Sequence, residues 1–419
     1  MKNLSPHVEL VNQIVCNAHD AGVVQIKIQD SKVDGKTVIV NGKEKVYFGN
    51  CSYLGLELDE RIKDAAIEAI RNYGTYFSCS RTYVEIPLFE ELEYLFFQMF
   101  GKPCTVSPTT TLGHMSNIPT LIRPQDAVIM DHQVHASIQS AVQIVKANGT
   151  YVEVMRHGRM DMLESRINKL KDKYDRIWFM TDGVYSMYGD VAPVSELHEL
   201  MDKYEQLWCY VDDAHGMSWA GEKGTGYVLS KLPNFHERLI LILSLAKGFG
   251  VCGAVMVYPN REIREIVKNC GSTLVFSGPP QPVTLGASIA SCRIHLSDEI
   301  YDRQDKLADL MRYYVITAKG LGLPLVSDSK TPIFFVGVGT PDTGYEISKR
   351  MLDSGFLLNL SAFPAVPYKN TGLRSTLTIN HTVQDIYDML STLANHLEDM
   401  EKKKKVNKQE ICKAFALSY

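Results

Sequence analysis

The central part of the chain alternates between short apolar runs and segments with helical periodicity. The apolar runs end in polar residues and occupy 127–131, 151–154, 177–183, 208–216, 240–247 and 253–258. Helical patterns separate most of them, such as VSELHELMDKYEQ at 194–206. Continuous apolar strands that alternate with helices predict a mostly parallel sheet covered by helices on both faces. The predicted fold class is therefore α/β.

The N-terminal region combines a predicted helix with a predicted hairpin. Ser5, followed by a proline, favours the start of a helix over residues 5–20. Residues 23–30 and 36–48 alternate between apolar and polar positions with period two. The Asn41-Gly42 pair lies inside the second stretch, and this dipeptide is typical of a hairpin turn.

The C-terminal region has a different pattern. A long helical stretch is predicted over about 280–320, and residues 321–419 mix strands with helices, which indicates a second, smaller α+β unit. The predicted domains are an N-terminal segment at 1–60 that joins the small domain, a large domain at 61–290, and a small domain at 291–419.

Composition narrows the classes of function. The 419 residues carry a formal net charge of −4, so the composition does not show the excess of basic residues that is typical of nucleic-acid-binding proteins. The nine cysteines are scattered and include no CxxC pair, so a reducing cytoplasm is expected. No apolar run reaches the roughly 18 residues that a membrane-spanning helix needs. The N-terminus has no signal-peptide pattern.

Four consecutive lysines occupy 402–405, close to the C-terminus. Runs of like charge are most often solvated faces, and that is the simpler interpretation here. The alternative is docking to an acidic carrier protein or to a membrane surface.

Polar groups follow two of the apolar runs. The stretch VDDAHG at 211–216 brings Asp212 and His215 to a strand end. Alone, they are compatible with a metal pair, an acid/base pair, or a helix cap beside a structural histidine. The stretch LSLAKGFGVCGA ends another run on Lys247. Either Lys247 marks the point where the buried segment reaches water, or its amine takes part in chemistry.

Together these residues indicate pyridoxal 5'-phosphate (PLP) chemistry. A lysine amine forms Schiff bases with carbonyls, and PLP requires such a lysine and a carboxylate against its pyridinium nitrogen. Lys247 and Asp212 supply this pair. A phosphate site also needs backbone N–H groups at a helix start and hydroxyl groups. SPTTTLGHMSN at 107–117 and Ser244 meet this requirement.

With these motifs the chain resembles the α-oxoamine synthases, a branch of the fold-type I PLP-dependent enzymes. The resemblance extends from about residue 45 to about residue 398. Its strongest stretches are TDGVYSMYGDVAPVSELHEL (181–200), VDDAHGMSWAGEKGTG (211–226) and SLAKGFGVCGA (244–254), and the weaker ones are YLGL (53–56), DHQVHASI (131–138), FSGPPQP (276–282) and LRSTLTINHTVQDI (373–386).

The resemblance implies a role for each residue around the cofactor ring. Lys247 would bind the cofactor covalently and then remove the Cα proton of the amino acid. Asp212 would pair with the ring nitrogen and His215 would contact the ring hydroxyl oxygen. His135 would stack on the ring and later position the acyl carbonyl, although a histidine that only caps a helix is the alternative.

The resemblance also implies a phosphate site. Gly113 and His114 would offer backbone N–H groups to the phosphate, and Ser244 would offer its hydroxyl. Ser277 would reach the phosphate of the neighbouring subunit, which implies a homodimer with shared active sites. Ser186 would lie beside the cofactor, with a turn hydroxyl as the alternative.

The implied reaction joins a small α-amino acid, held by Arg374, to an acyl thioester, and releases CO2 and the thiol. The acyl donor would be fatty acyl-CoA or an acyl carrier protein, and the product a sphingoid-like or sulfonolipid-like base precursor. An aminotransferase or aldol-type lyase on the same fold is one alternative. A non-catalytic partner subunit is another, although such subunits lack the lysine that is present here as Lys247.

Four positions depart from the pattern of the family. Phe89 stands where a histidine is usual, Cys51 where an asparagine is usual, and Gly372 where an arginine is usual. His114 replaces a frequent aromatic residue or cysteine. The stretch around Phe89, TYVEIPLFEELEYLFFQMF at 82–100, is apolar enough to line an acyl-chain groove, and a core helix explains it equally well.

Overall fold

A computed structural model of the chain describes residues 5–326 and 331–417 and divides them into two units. The larger unit consists of residues 54–185 and 191–304. The smaller unit consists of residues 5–53, 186–190 and the described part of 305–417.

Helices and strands follow one another through the described residues. The helices are α1 (Pro6–Asp20), α2 (Glu60–Tyr73), α3 (Pro87–Phe100), α4 (Thr110–Leu121), α5 (Ala136–Ala147), α6 (Met160–Leu170), α7 (Val194–Lys203), α8 (Tyr227–Lys231), α9 (Arg261–Cys270), α10 (Ser272–Phe276), α11 (Pro282–His295), α12 (Glu299–Gly320), α13 (Pro341–Asp353), α14 (Val383–Lys402) and α15 (Lys408–Ala414). The strands are β1 (Thr37–Val40), β2 (Lys43–Tyr47), β3 (Cys104–Ser107), β4 (Ala127–Asp131), β5 (Tyr151–Met155), β6 (Ile177–Asp182), β7 (Leu207–Asp212), β8 (Leu239–Ser244), β9 (Ala254–Val257), β10 (Ile333–Gly339), β11 (Phe356–Leu357), β12 (Asn359–Ser361) and β13 (Thr371–Thr376).

The larger unit is built on a seven-stranded sheet with the order β3-β9-β8-β7-β6-β4-β5. Strands β5, β4, β6, β7 and β8 run parallel to one another, whereas β9 is antiparallel to both β8 and β3. The prediction of an α/β fold with a mostly parallel sheet is therefore confirmed.

Both faces of this sheet are buried, which explains the continuous apolar runs. In β6, Ile177 and Phe179 pack into one core, and Trp178 and Met180 pack into the other. Helices α3, α6 and α7 contribute side chains to the first core, and α4 and α5 contribute to the second. A strand that is covered on both sides has no solvent face and therefore needs no polar positions.

The strands end earlier than the apolar runs suggest. Strand β7 ends at Asp212 and β8 ends at Ser244, so Lys247 lies three residues beyond its strand. Because β4, β6, β7 and β8 are parallel, their C-terminal residues share one edge of the sheet. Asp131, Asp182, Asp212 and Ser244 are those residues, and this is the edge where ligands bind in open parallel sheets.

In the smaller unit, the predicted hairpin turn at Asn41-Gly42 is confirmed, whereas the predicted strand over 23–30 is wrong. Strands β1 and β2 pair antiparallel around Asn41 and Gly42, whose φ angles of 51° and 70° fit a type I′ turn. Residues 23–30, however, form no strand. They run beside β1, where the N–H of Gln29 donates to the carbonyl of Ile39 at 2.9 Å.

Two helical predictions have different outcomes. The helix predicted over 5–20 is confirmed as α1, and the Ser5 hydroxyl accepts a hydrogen bond from the Val8 N–H at its start. The helical stretch predicted over about 280–320 consists of two helices, α11 and α12, separated by residues 296–298. Within the described residues, no helix combines the length and apolar character needed to cross a membrane.

Candidate active site

A tight turn after β8 positions Lys247. The Ser244 hydroxyl accepts a hydrogen bond from the N–H of Ala246 at 3.1 Å, and the Gly250 N–H donates to the Lys247 carbonyl at 2.9 Å. Gly250 has a φ of +81°, and a Cβ there would lie 2.7 Å from the Cβ of Leu56. Only glycine fits this backbone. The turn therefore fixes where the lysine side chain leaves the chain.

Asp212, at the end of β7, is buried and held by two donors. Its Oδ1 accepts the N–H of Ala214 at 2.9 Å, and its Oδ2 lies 2.9 Å from Nε2 of His114. Burial raises the pKa of Asp212, but the charge and hydrogen bond of His114 and the charge of Lys247 outweigh it and hold the pKa at about 2. This pKa favours the ionised carboxylate at neutral pH, and the positive charge of Lys247 interacts with it electrostatically.

The adjacent Asp213 is a buried residue that holds the local backbone in place. Its Oδ2 accepts the N–H of Val228 at 2.9 Å, and it is completely buried. The three glycines that pack against its carboxyl group are Gly183, Gly216 and Gly226. Burial raises the pKa of Asp213 well above its usual range. Asp213 therefore anchors the start of α8 through its hydrogen bond to Val228.

Asp182 is a buried carboxyl group at this edge that the sequence analysis did not select. It lies opposite Asp212 in the β6–β7 register, and it accepts the N–H of His135 at 3.1 Å. Burial and the charge of Asp212 raise its pKa well above the usual range. The sequence signal was present, because the apolar part of the run at 177–183 leads to Asp182 just as that of the next run leads to Asp212.

His135 caps the start of α5. Its Nδ1 accepts the N–H of Ser137 at 3.3 Å and lies 2.6 Å from the Ser137 hydroxyl, so the ring hydrogen of the neutral form is on Nε2. Burial lowers the pKa of His135, and the charges of Lys247 and His114 act in the same direction against that of Asp212. His135 is therefore a helix cap, and this leaves an Nε2–H that has no hydrogen-bond partner among the described residues.

The predicted phosphate contact of Gly113 and His114 needs correction. Helix α4 begins at Thr110, so both residues lie inside it, and the Gly113 N–H donates to the carbonyl of Thr109 at 3.0 Å. Their backbone donors are therefore used within the helix. Gly113 is small for a packing reason, because a Cβ there would lie 3.1 Å from the Met256 sulfur.

Other donors are open at the start of α4. The Leu112 N–H donates to the Thr109 hydroxyl at 3.1 Å, which leaves the N–H groups of Thr110 and Thr111 without an intrahelical acceptor. A helix N-terminus of this kind attracts anions through its partial positive charge. The open N–H groups of α4 thus lie about three residues towards the N-terminus from the predicted ones.

His215 and Ser277 also lie in the larger unit. His215 is buried three residues after Asp212, and its carbonyl accepts the indole N–H of Trp219 at 2.5 Å. Ser277 is half-buried at the end of α10 and directly follows Phe276, whose side chain is 87% exposed.

The smaller unit contains Arg374 and Ser186, and these two residues meet. Arg374 is buried on β13, and its Nε–H donates to the carbonyl of Ser186 at 2.6 Å. Nη2 of the same guanidinium lies 3.8 Å from the sulfur of Cys51. Ser186 therefore contacts the arginine through its backbone, and Cys51 occupies the position beside the guanidinium.

Two departures from the family pattern have packing explanations. At Gly372 the ring of Phe335 fills the space that any side chain would need, so an arginine cannot be accommodated there. Phe89 is buried in the core, and the Arg81 guanidinium stacks over its ring at 4.1 Å. The core-helix interpretation of residues 82–100 is the one that fits Phe89.

Across residues 5–326 and 331–417, no three His, Cys, Asp or Glu side chains are grouped as a metal ion would require. Asp212 and His215, which the sequence left open as a metal pair, are not part of such a group. The partner of the Asp212 carboxylate is instead His114.

Comparisons with known proteins agree with this architecture. A family model described as aminotransferase class I and II matches residues 43–392. An 8-amino-7-oxononanoate synthase from Thermoanaerobacter pseudethanolicus is 32% identical over 355 residues, which cover 84% of this chain and 87% of the relative. One from Alkaliphilus oremlandii is 30% identical over 401 residues, with coverage of 92% and 99%. The solved serine palmitoyltransferase of Sphingomonas wittichii has the same fold, with a TM-score of 0.84, 22% identity and coverage of 96% and 100%.

Proposed function

Since the chain belongs to the aminotransferase class I and II family, in its α-oxoamine synthase branch, we propose that it is a PLP-dependent acyltransferase. It condenses a small α-amino acid with an acyl thioester to give an α-oxoamine. The observation that carries the proposal is the buried Asp212 carboxyl group at the C-terminal edge of the parallel sheet, held by His114 and the Ala214 N–H, on the strand next to the one that leads to Lys247.

The donor set at this edge fits PLP. When bound, PLP supplies the electron sink that stabilises negative charge at the amino acid Cα. Lys247 would supply the amine that holds the cofactor covalently and would then take the Cα proton. Asp212 would supply the negative charge that a protonated ring nitrogen requires, and His215 would contact the ring hydroxyl.

Phosphate binding is assigned to the start of α4 and the end of β8. The Thr110 and Thr111 N–H groups supply backbone donors, and the Ser244 hydroxyl supplies a further one. This assignment keeps the predicted segment at 107–117 but uses its first helical turn in place of Gly113 and His114.

Two residues are assigned to the substrates. Arg374 holds the amino acid carboxylate, because a planar guanidinium grips a carboxylate through two parallel hydrogen bonds. The Ser186 carbonyl orients that guanidinium from its Nε side. His135 is assigned to the acyl carbonyl, to which its Nε2–H donates.

The bonds that form and break in the reaction are those at the amino acid Cα and at the acyl carbon. Lys247 takes a proton from Cα, a bond forms between the amino acid Cα and the acyl carbon, and the acyl C–S bond breaks to release a thiolate, which takes up a proton to become the thiol. The Cα–carboxylate bond then breaks to release CO2, and a proton takes the place of the carboxylate on Cα. Lys247 is the group that delivers and removes protons at Cα.

For the acyl group we propose a medium or long fatty chain, which gives a sphingoid-like or sulfonolipid-like base precursor. Gly372 and Cys51 lie in the same unit as Arg374 and are less polar than the arginine and asparagine usual in the family. An uncharged chain suits less polar surroundings better than one that ends in a carboxylate.

The lysine run at 402–405 gives no support for an acidic carrier protein over CoA. Three of its four lysines are paired with carboxylates, as Lys402–Glu398 at 2.9 Å, Lys403–Asp399 at 2.8 Å and Lys405–Glu346 at 2.9 Å. The solvated-face interpretation fits these pairs. We therefore take CoA as the preferred carrier.

A matrix of substrates tests the proposed function. Glycine, alanine, serine and cysteate are each combined with acyl groups from acetyl to palmitoyl, on CoA and on carrier protein, and products are identified by mass spectrometry. We expect an α-oxoamine with a fatty chain, and Arg374→Lys should need a higher amino acid concentration and also react more slowly. An optimum at acetyl would contradict the lipid product, and amino transfer without acylation would identify an aminotransferase.

An exposed apolar surface next to Ser277 supports a homodimer. This aromatic patch consists of Tyr76, Phe77, Tyr83, Val84 and Phe276. Its two segments touch, because the Ser80 hydroxyl donates to the carbonyl of Val275 at 2.7 Å. Exposed clusters of large apolar side chains mark interaction sites. We assign the patch to a second copy of this chain, with Ser277 reaching the partner's phosphate.

Replacing Phe276 with serine should weaken this dimer. The side chain is 87% exposed and would lose its buried contacts in the interface, so we expect monomers at assay concentration by light scattering and a parallel loss of activity. Ile316→Ser is the matched control, since Ile316 is 72% exposed outside the patch. A fully active Phe276→Ser dimer would show that the patch is not the interface.

A further inference from the structure

The side chain of His114 links two residues of β7 inside the larger unit. Its Nε2 lies 2.9 Å from Asp212 Oδ2, and its Nδ1 lies 2.9 Å from the hydroxyl oxygen of Tyr210. Tyr210 and Asp212 are two residues apart on one strand, so their side chains point to the same face of the sheet. Helix α4 covers that face and places His114 between them.

The hydrogen bond to Asp212 has a fixed direction. An ionised carboxylate can only accept, so Nε2 of His114 carries the hydrogen and donates it to Oδ2. The hydroxyl of Tyr210 can donate to Nδ1 of the neutral ring or accept from the protonated ring. In both protonation states of the histidine, Asp212 receives a donor. His114 has no exposed surface, so water does not compete for this contact.

We propose that His114 is a positioning residue that orients the Asp212 carboxylate and lowers its basicity, so that the proton shared with the cofactor's ring nitrogen stays on that nitrogen. This inference rests on the proposed function. The Ala214 N–H holds Oδ1 and His114 holds Oδ2, so the carboxyl plane is fixed from two sides. A carboxylate with two donors has less negative charge to attract a further proton.

The surroundings of Asp212 explain why it needs this donor. The group is buried, and the carboxyl group of Asp182 lies opposite it in the sheet register. Burial and a neighbouring carboxyl group both favour the protonated form of an aspartate. The groups that act against this are Lys247 and His114. His114 does so through a direct hydrogen bond to Oδ2 of the carboxylate.

Two substitutions of His114 test this role. Phenylalanine keeps a ring in α4 and removes the N–H donor. Glutamine offers the opposite test, because its amide can donate to Asp212 and accept from Tyr210 without titrating.

The first measurement uses cofactor labelled with ¹⁵N in the ring. In the reconstituted wild-type protein and in His114→Gln, the ring nitrogen should give the chemical shift of the protonated form at pH 8. In His114→Phe it should move towards the unprotonated value, and Cα proton exchange should slow by about tenfold, in line with the loss of outer partners at other buried ligand groups. His114→Gln should restore both.

The second measurement uses the cofactor-free protein, so it does not depend on the proposed function. With ¹³C-labelled aspartate, His114→Phe should raise the pH at which Asp212 ionises, and His114→Gln should keep it close to that of the wild type. His295→Phe is the matched control. His295 is completely buried and hydrogen-bonded through both ring nitrogens, to Ser291 and Ser218, but not to a carboxylate.

The outcomes separate the two hypotheses. If folded His114→Phe leaves both the ¹⁵N shift and the Asp212 titration unchanged, the inference is overturned. The same holds if His295→Phe produces an equal change, since the effect would then be a general loss of packing. If the wild-type protein retains no cofactor, the proposed function fails, and the aspartate titration still decides whether His114 controls Asp212.

Discussion

Lys247→Ala should lose at least about 1,000-fold in turnover, since a positioned general base contributes roughly that much. The turn after β8 delivers this lysine to the edge of the sheet, and Asp212 lies within its field. Alanine removes both the covalent attachment of the cofactor and the base at Cα. The phosphate donors at the start of α4 are unaffected, so weak cofactor binding should persist.

Two measurements check this result. Borohydride reduction of the wild type, followed by peptide mass analysis, should place the cofactor on the peptide that contains Lys247, and Lys247→Ala should show no such peptide. Lys231→Ala is the control, because Lys231 is an exposed lysine of the same unit. If Lys247→Ala retained near-normal turnover, the assignment of the whole site would be wrong.

The arrangement of strand ends was predictable from sequence because it depends on topology. Apolar runs without polar positions indicate parallel strands buried on both faces, and parallel strands bring their C-terminal residues to one edge. Asp212 and Lys247 could therefore be placed together although they are 35 residues apart. Asp182 carries the same signal and was missed because it was considered only as the end of a run, without its neighbour in the register.

Other features depend on contacts that no local pattern encodes. His114 and Asp212 are 98 residues apart, and only the packing of α4 on β7 joins them. Gly113 was interpreted as part of the phosphate loop, yet its small size serves the packing of α4 against Met256. Residues 23–30 alternate like a strand, but Gln25 has a φ of 52° and the segment does not enter the sheet.

Asp212→Asn should slow exchange of the Cα proton in deuterated water by about 100- to 1,000-fold, the loss expected when one preorganised electrostatic partner is removed. Asparagine keeps the shape and removes the charge that holds a proton on the ring nitrogen. Because the pKa of Asp212 is held at about 2, the wild-type carboxylate remains ionised from pH 5 to pH 9. Protonation of Asp212 should therefore cause no fall in the wild-type rate in that range.

Asp213→Asn is the matched control for this result, since it makes the same chemical change one residue away. Burial raises the pKa of Asp213 well above its usual range, which favours the uncharged carboxyl group, so the substitution should change the local charge little. Its contact with Val228 can be kept by the amide oxygen, which also accepts a hydrogen bond. We therefore expect Asp213→Asn to exchange the Cα proton at close to the wild-type rate. Slow exchange in Asp213→Asn together with normal exchange in Asp212→Asn would transfer the cofactor's charge partner from Asp212 to Asp213.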